Sequence, residues 1–357
     1  MPTWVDADFP GGSIEVVRAA GRGPIELAIP EDSASDVRQW FAFRVGTGER
    51  PRDIVIQNAG EATFPNGWPG YRAMVSHDGA RWSRAPTAYE DGALVIRHVP
   101  RGQATLYAYF ALYPVARLER LLARVRRADH VSVGVAGESV MGRPVPLVSA
   151  GWGDRTVWLL ARQHPGEVPA SFVADGLLRR LAREDDDTVR FVLERARLRV
   201  APLVDVDGAE LGNMRTNAAG ANLNRAWDDP DPEDAPEVHA LLGAIEETGV
   251  DLFLDVHADE SSPFAFAAGS EGNPSVTDEL LAREAELRAI LEDETRELVD
   301  EPGYPLDAPG EADLSCASNQ MGERFGCPAL TLEMPIKDCG DECVPAGWSP
   351  ARAQRFG

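Results

Sequence analysis

The chain has 357 residues, of which 44% are hydrophobic and 26% charged, and its 35 basic and 58 acidic side chains give a net charge of −23. At roughly 100 to 200 residues per domain this length predicts about two domains, and the composition excludes a disordered chain. A sequence pI of about 4.6 excludes nucleic acid as a partner, because no broad basic surface can neutralise phosphates. The start, MPTWVDADFPGGS, lacks signal-peptide regions, and no apolar run approaches the ~18 residues of a membrane span. We therefore expect a soluble, cytoplasmic protein.

Residues 1–113 are predicted to form an all-β sandwich domain, because short β-rich runs are separated there by Gly, Pro, Asn and Asp clusters. These runs are SIEVV, IELAI, FAFRV, DIVIQ, ALVIRHV and TLYAYF. Near Pro114 the pattern changes to VARLERLLARVRRA, whose apolar residues recur at helical spacing. We therefore place a domain boundary between residues 113 and 114.

Residues 114–357 are predicted to form an α/β domain in which helices cover a mixed sheet. Four short apolar runs suit strands buried on both faces: TVWLLA at 156–161, LRVAPLV at 198–204, DLFLDV at 251–256 and PALTLE at 328–333. Helical patterns at 169–184 and 277–298 fall between some of them. Alternation of this kind is typical of a largely parallel or mixed sheet.

Charge and cysteine content separate the two predicted domains further. Residues 1–113 carry 11 basic and 13 acidic side chains, and residues 114–357 carry 24 and 45, so the balances are −2 and −21. Part of the acidic excess lies at 182–188 and 228–237, where Asp and Pro indicate exposed loops. The four cysteines, Cys316, Cys327, Cys339 and Cys343, are too few for a disulfide framework, and we expect free thiols.

Two of the six histidines come directly after predicted strands, at the sheet edge where open α/β folds bind ligands. His164 and Glu167 in RQHPGE are three residues apart, and a tight turn can aim both at one point. His257 in DLFLDVH could complete a His₂Glu set, which leaves zinc an open position for water. A lone His-x-x-Glu is common, and taken alone each histidine is better explained as a hydrogen-bonded residue at a strand end.

Three further polar residues follow the second strand, and one ends the fourth. Arg215, Asn224 and Arg225 lie in a loop where arginines suit bidentate recognition of a carboxylate, or alternatively surface ion pairs with neighbouring aspartates. Glu333 follows an apolar run, where burial can raise the pKa of a general base toward the working pH. Capping of a loop explains Glu333 equally well.

The ordered motifs RQHPGE, GNMR, GANLNRAW, DVH and TLEMP resemble the zinc metallocarboxypeptidases, and most closely the cytosolic carboxypeptidase subfamily, which carries a β-sandwich ahead of its catalytic domain. The lead-in GESVMGRPVPLV is similar to a hairpin motif of that family through four residues: Gly137, Ser139, Gly142 and Arg143. Five motifs in the right order are far more specific than any one of them.

The resemblance implies one zinc ion per chain, bound by His164, Glu167 and His257. It implies that Arg215 polarises the scissile carbonyl and that Glu333 is the general base. Chemically this is consistent, since zinc lowers the pKa of bound water and an arginine stabilises a developing oxyanion. The motif NLNR implies that Asn224 and Arg225 bind the terminal carboxylate of a peptide or protein substrate.

Three positions depart from the family pattern. Asn222 stands where the family often has an aspartate that orients the first zinc histidine, so an amide oxygen is expected to take this role. Asp205, Val206, Asp207 and Gly208 replace the familiar Asn-Pro-Asp-Gly turn. Tyr304 is the only tyrosine between His257 and Glu333, and the comparison of motifs gives it no role.

The main hypothesis is therefore a zinc carboxypeptidase that acts on peptide or protein C-termini. One alternative is an amidohydrolase of small N-acyl amino acids, as in the aspartoacylase-like branch of the superfamily, and another is a non-catalytic carboxylate-binding protein. The β-rich first domain and NLNRAW favour the peptidase, and Glu333 disfavours pure binding, which needs no base. The final residues, GWSPARAQRFG, predict a helix capped by Ser349 with Pro350 first, and they end so abruptly that we expect the natural chain to be longer.

Overall fold

The N-terminal domain contains two five-stranded sheets. The computed structural model describes residues 3–46, 52–100, 103–183, 185–295, 297–299, 303–337 and 347–357. Strands β1 to β10 comprise Trp4–Asp6, Glu15–Arg18, Ile25–Ala28, Ala42–Gly46, Ile54–Ile56, Met74–Ser76, Ser83–Arg84, Thr87–Glu90, Ala93–Ile96 and Ala104–Ala108. The strand orders are β1-β4-β10-β6-β7 and β2-β3-β5-β9-β8. Buried residues of both sheets belong to one hydrophobic cluster, as in a sandwich.

All six β-rich runs identified in the sequence contain a strand, whereas β1, β6, β7 and β8 were not predicted. Strands β3, β5 and β9 show the period-2 alternation of a half-buried strand; in β3, for example, Ile25 and Leu27 are buried and the residues after each are less so. The four missed strands have two to four residues each. Strand β7 consists of Ser83 and Arg84 alone, so no apolar pattern marks it.

The second domain is built on a seven-stranded mixed sheet. Strands β11 to β17 comprise Val131–Glu138, Pro144–Ala150, Arg155–Ala161, Ala196–Ala201, Leu252–Asp259, Phe266–Ala268 and Ala329–Pro335. Helices α1 to α8 comprise Val115–Val125, Val168–Leu181, Asp187–Leu193, Val206–Leu211, Pro236–Thr248, Asp278–Glu294, Ala317–Phe325 and Pro350–Phe356. The sheet order is β11-β12-β14-β13-β15-β17-β16, with β14, β13, β15 and β17 mutually parallel.

Helices cover both faces of this sheet, as the sequence predicts. Along β13, Trp158 and Leu160 belong to one hydrophobic cluster, and Leu159 and Ala161 belong to another. Since successive side chains of a strand point to opposite faces, the two clusters lie on opposite sides of the sheet. The cluster that contains Leu159 is continuous with the core of the N-terminal domain. The division at 113/114 stays a prediction, and α1 begins at Val115.

Three of the four predicted strands end at a different residue from the predicted one, and two of these differences concern site residues. Strand β14 ends at Ala201, because Pro202 cannot donate to a ladder, so residues 202–204 are not strand. His257, predicted to follow its strand, lies inside β15, and Glu333, predicted to end its strand, lies two residues before the end of β17. Strands β15 and β17 pair in a register that places His257 opposite Glu333. Parallel pairing therefore brings the two residues together directly.

The C-terminal helix and the cysteines agree with the sequence where the structure describes them. Helix α8 begins at Pro350, and the Ser349 hydroxyl accepts a hydrogen bond from the Arg352 amide. Cys316 and Cys327 are free thiols, whereas Cys339 and Cys343 lie outside the described residues. Within the described parts of the chain, every helix is too short or too polar to cross a membrane.

Candidate active site

The turn after β13 presents His164 and Glu167 at the carboxyl edge of the sheet. Its backbone is held by Arg162, a buried residue with a φ of 61°. The Arg162 guanidinium donates to the carbonyl oxygens of Pro165 at 2.7 Å and Tyr113 at 2.9 Å. Burial lowers the pKa of Arg162 to about 10, so it stays charged. Glu167 precedes α2, whose first residue is Val168.

His164, Glu167 and His257 converge on one point, as the sequence predicts for a metal centre. One Glu167 oxygen lies 2.7 Å from His164 Nδ1, and the other lies 2.8 Å from His257 Nδ1. The two Nδ1 atoms are 3.2 Å apart. A tetrahedral zinc with bonds of about 2.0–2.1 Å places its nitrogen ligands about 3.3 Å apart. The three buried side chains therefore fit a zinc ion.

The other nitrogen of each imidazole has an acceptor, which fixes both rings with Nδ1 toward the common point. His164 Nε2 lies 2.9 Å from Asn222 Oδ1, and His257 Nε2 lies 2.8 Å from Asp255 Oδ2. Thus an amide oxygen contacts His164, as expected from the sequence, while a carboxylate contacts His257. Asp255 was not identified from the sequence, although it stands two residues before His257 on the same face of β15.

The electrostatics of the three side chains suit a cation. Burial lowers the pKa of His164 to about 4, so this ring is neutral near pH 7. Burial also acts to lower the pKa of His257, but the carboxylates of Asp255 and Glu167 outweigh it and raise the pKa well above its ordinary value. Burial opposes ionisation of Glu167, yet the two imidazoles hold its pKa below the ordinary range. The centre thus favours positive charge next to Glu167.

Glu333 projects from β17 beside this centre, so the structure does not support the loop-capping alternative. Its side chain is buried, and its pKa is raised to about 8, mainly by burial. Oε1 accepts a hydrogen bond from the Tyr304 hydroxyl at 2.8 Å, whereas Oε2 has no partner among the described residues. Tyr304 is a site residue that the sequence did not reveal; the one available signal was its being the only tyrosine between His257 and Glu333.

Arg215 lies in the loop after α4 and lines the same cavity as the centre. Its Nη1 is 4.0 Å from a Glu167 oxygen. Its guanidinium carbon is 5.3 Å from the centre of the Phe64 ring, which belongs to the N-terminal domain. Such a distance permits a cation–π interaction. Phe64 was not identified from the sequence.

Asn224 and Arg225 lie on a 3₁₀ turn, Leu223–Arg225, at the rim of the same site. Asn224 Oδ1 accepts from the Ala317 amide at the start of α7. Arg225 is exposed, and its Nε lies 3.2 Å from Asp313. An ion pair with an aspartate is therefore present, and the structure leaves this guanidinium accessible from the cavity.

The hairpin between β11 and β12 contacts helix α4, which precedes the loop that carries Arg215. Its turn contains Gly142 at a φ of 74°, and the Ser139 hydroxyl accepts from the Arg143 amide. Asp207 on α4 pairs with the Arg143 guanidinium and accepts from the Met141 amide. The Asp-Val-Asp-Gly sequence thus begins α4, with Asp205 as its cap.

One cavity of about 890 Å³ is lined by the three proposed zinc ligands and by the side chains that surround them: Phe64, Arg215, Asn224, Arg225, Tyr304, Asp313 and Glu333. Its acidic lining residues outside the proposed metal centre are Asp259, Glu260, Glu271, Asp307, Asp313 and Glu333. Its basic lining residues are Arg215, Arg225 and Arg288. Arg288 donates to Glu271 at 2.6 Å, while Glu260 is buried with an oxygen that has no partner in the described structure. Neither Arg288 nor Glu260 belongs to a motif that the sequence singled out.

Two family models match this chain. Residues 5–110 match the cytosolic carboxypeptidase N-terminal domain, and residues 118–287 match zinc carboxypeptidase. A solved metallo-carboxypeptidase from Pseudomonas aeruginosa, in complex with (2-guanidinoethylmercapto)succinic acid, is 40% identical with a TM-score of 0.95, over 99% of this chain and 96% of that one. The chain belongs to the zinc carboxypeptidase family.

Other relatives agree with this assignment and confirm the resemblance seen in the motifs. The metallo-carboxypeptidase from Burkholderia cenocepacia is 35% identical with a TM-score of 0.95, covering 99% of this chain and 96% of that one. A protein from Zymomonas mobilis is 40% identical over all of this chain and 94% of its own length. Human cytosolic carboxypeptidase 6 is 29% identical over 74% of this chain and 59% of its own length. This zinc carboxypeptidase thus shares both of its domains with bacterial relatives.

Proposed function

We propose that this zinc carboxypeptidase removes C-terminal residues from peptides or proteins at the cavity described above, with one zinc ion held by His164, Glu167 and His257. The observation that carries the proposal is the convergence of two imidazole nitrogens and a carboxylate within 2.7–3.2 Å of one another, facing a buried carboxylate on the next strand. When bound, zinc supplies Lewis-acid chemistry and lowers the pKa of water.

Glu333 is proposed as the general base. Glu333 lines the cavity, its buried Oε2 has no hydrogen-bond partner among the described residues, and Tyr304 orients the carboxylate by donating to Oε1. Burial raises its pKa to about 8, and His257 opposes that shift. Ionised, this carboxylate accepts a proton from the attacking water and later returns it to the leaving amine.

Arg215 is proposed to stabilise the negative charge that develops on the scissile carbonyl oxygen. Its guanidinium lies 4.0 Å from Glu167 and therefore borders the metal centre. A preformed cation at this position stabilises the transition state more than the neutral ground state.

Asn224 and Arg225 are proposed to bind the free carboxylate of the substrate. Arg225 is accessible, and a substrate carboxylate can exchange for its ion pair with Asp313. Guanidinium groups pair bidentately with carboxylates, which selects a chain terminus over an internal peptide bond. The ligand in the Pseudomonas structure is itself a succinic acid derivative, as expected for a site that holds carboxylates.

The N-terminal cytosolic carboxypeptidase domain and the metallo-carboxypeptidase neighbours do not favour the N-acyl amino acid hydrolase or the non-catalytic binding protein. Release of free amino acid from a panel of peptides and N-acyl amino acids, with and without a chelator, separates the three functions. We expect release from peptides, loss with chelator and recovery with added zinc. Release from N-acyl amino acids alone would favour the amidohydrolase, and no release from either class would favour the binding protein. A cytoplasmic location remains part of this proposal.

A further inference from the structure

Residues 32–35 of the N-terminal domain form hydrogen bonds with residues 213–216, the loop that carries Arg215. The buried carboxylate of Asp32 accepts four hydrogen bonds from this loop. Its Oδ1 accepts from the Met214 amide at 2.6 Å, and its Oδ2 accepts from the Arg215 amide at 2.9 Å and from the Thr216 amide and hydroxyl at 3.0 and 3.1 Å. Burial raises the pKa of Asp32, and the four hydrogen bonds oppose this shift because they favour the ionised form.

The residues next to Asp32 extend the contact. The Ser33 amide donates to Asn213 Oδ1 at 2.9 Å, and the Asn213 amide group donates to Ser33 Oγ at 3.0 Å. The hydroxyls of Ser35 and Thr216 are 3.0 Å apart. Every residue from 213 to 216 thus has a hydrogen bond to the segment 32–35.

Arg215 itself depends on this fixation, because its side chain has few partners of its own. Among the described residues, the one carboxylate within ion-pair distance is that of Glu167, at 4.0 Å. Phe64, also from the N-terminal domain, covers the guanidinium. Holding a long, flexible side chain in one rotamer costs entropy, and one distant ion pair offsets little of that cost. The position of the Arg215 guanidinium therefore depends mainly on where its backbone is held.

We propose that Asp32 is a positioning residue that holds Arg215 in its catalytic geometry, so that the N-terminal domain forms a working part of the active site. This rests on the function proposed above for Arg215. Asp32 contacts neither the metal ligands nor the cavity, and it acts through three consecutive amides that it orders. Displacement of a catalytic group by about 1 Å can cost on the order of 10² in rate.

The test replaces Asp32 by Asn, which keeps the shape but points an amide donor at other donors. We expect kcat to fall about 10- to 100-fold, short of the roughly 10² to 10³ lost when an oxyanion donor is removed, with KM nearly unchanged and full zinc content. In an Arg215→Ala background, Asp32→Asn should have no further effect on kcat. The milder Thr216→Val, which removes one hydroxyl donor, should show a smaller loss with the same dependence on Arg215, and it keeps the test available if Asp32→Asn does not fold.

The matched control is Asn58→Ala. Asn58 also holds N-terminal backbone, through Ile29 at 2.8 and 2.9 Å, but it does not bind the loop 213–216. We expect it to lower the melting temperature without changing kcat. If Asp32→Asn behaved like Asn58→Ala, or if its effect on kcat were the same with and without Arg215, Asp32 would be a structural residue and the proposal would be wrong.

A crystal structure of Asp32→Asn separates this proposal from the proposed function. Displacement of residues 213–216 and of the Arg215 guanidinium supports positioning by Asp32, whatever the enzyme hydrolyses. An unmoved guanidinium overturns it even if the wild-type protein is an active carboxypeptidase. Wild-type protein that releases no amino acid from any peptide would instead contradict the proposed function.

Discussion

At the residue scale, the two imidazoles of the metal centre differ in what lies behind them. Asp255 places a carboxylate against His257, whereas Asn222 places only an amide oxygen against His164. A carboxylate behind an imidazole raises its basicity more than an amide does. Of the two histidines proposed as zinc ligands, His164 therefore has the weaker support, which it receives from Asn222.

Replacement of Asn222 by Ala should weaken zinc binding about 10- to 100-fold, the usual cost of losing a partner of a metal-bound histidine. The side chain also accepts from the Asn224 amide, so a moderate rise in KM should accompany the loss. Competition with a chromophoric chelator gives the zinc dissociation constant directly. An unchanged constant would show that the Asn222 contact does not orient His164.

Replacement of Glu333 by Gln should keep zinc and lose most turnover. The amide preserves the shape and can still accept from Tyr304, but it cannot take a proton from water. General bases contribute about 10² to 10⁴ in rate, and we expect kcat to fall within that range at unchanged metal content by elemental analysis. A variant with nearly normal kcat would show that another group is the base.

At the scale of elements, the sequence predicts the four central strands, and the structure brings together the three residues that we propose as metal ligands. Apolar runs of this kind are buried on both faces, and parallel strands bring their carboxyl ends to one edge. The pattern does not give register, so the pairing of His257 with Glu333 inside two strands was not predicted. Tyr304 and Phe64 depend on tertiary packing across the cavity, and no local periodicity marks either.

Contact between two loops makes a separate prediction at this scale. Gly166, in the turn between His164 and Glu167, donates to the Met214 carbonyl oxygen at 2.8 Å, and a Cβ at this position would lie 2.9 Å from Met214 Cα. Gly166→Ala should therefore force the turn and the Arg215 loop apart. We expect the free energy of unfolding to fall by about 1–3 kcal/mol, the usual cost of overpacking. We also expect kcat to fall, because the Arg215 loop moves.

The matched control for Gly166→Ala is Gly243→Ala. Gly243 lies in α5, and a Cβ there would meet no atom within 4 Å. Alanine in a helix should stabilise the protein by about 0.4–1 kcal/mol with activity unchanged. Chemical denaturation gives the free energy of unfolding of both variants. If Gly166→Ala were as stable as the wild type, the two loops would be able to move apart without a cost in stability.

At the scale of the whole molecule, the net negative charge and the arginines of the cavity have opposite effects on the binding of acidic substrates. Three arginines line the cavity, Arg215, Arg225 and Arg288, and they suit an acidic C-terminal residue, yet residues 114–357 carry a net charge of −21. Arg288 lines the cavity and pairs with Glu271. We propose that Arg288 provides any preference for a single terminal Glu or Asp, because screening over about 8–10 Å leaves a local arginine dominant.

Long polyglutamate tails should therefore bind poorly at low salt and better as salt is added, because screening reduces repulsion by the whole molecule. A short peptide with one terminal Glu should depend much less on salt. The measurement is kcat/KM for short and long acidic peptides across ionic strength. If kcat/KM for long acidic peptides fell as salt was added, a basic groove would outweigh the net negative charge of the molecule, and the prediction would be wrong.

The central claim, that this cavity acts on free C-termini, is tested most directly by kcat/KM for one peptide as the free acid and as the C-terminal amide. We predict that the free acid is cleaved and the amide is not, and that Arg225→Ala removes most of this difference by raising KM for the free acid, since bidentate pairing with the carboxylate is lost. Equal cleavage of acid and amide by the wild-type enzyme would contradict the account.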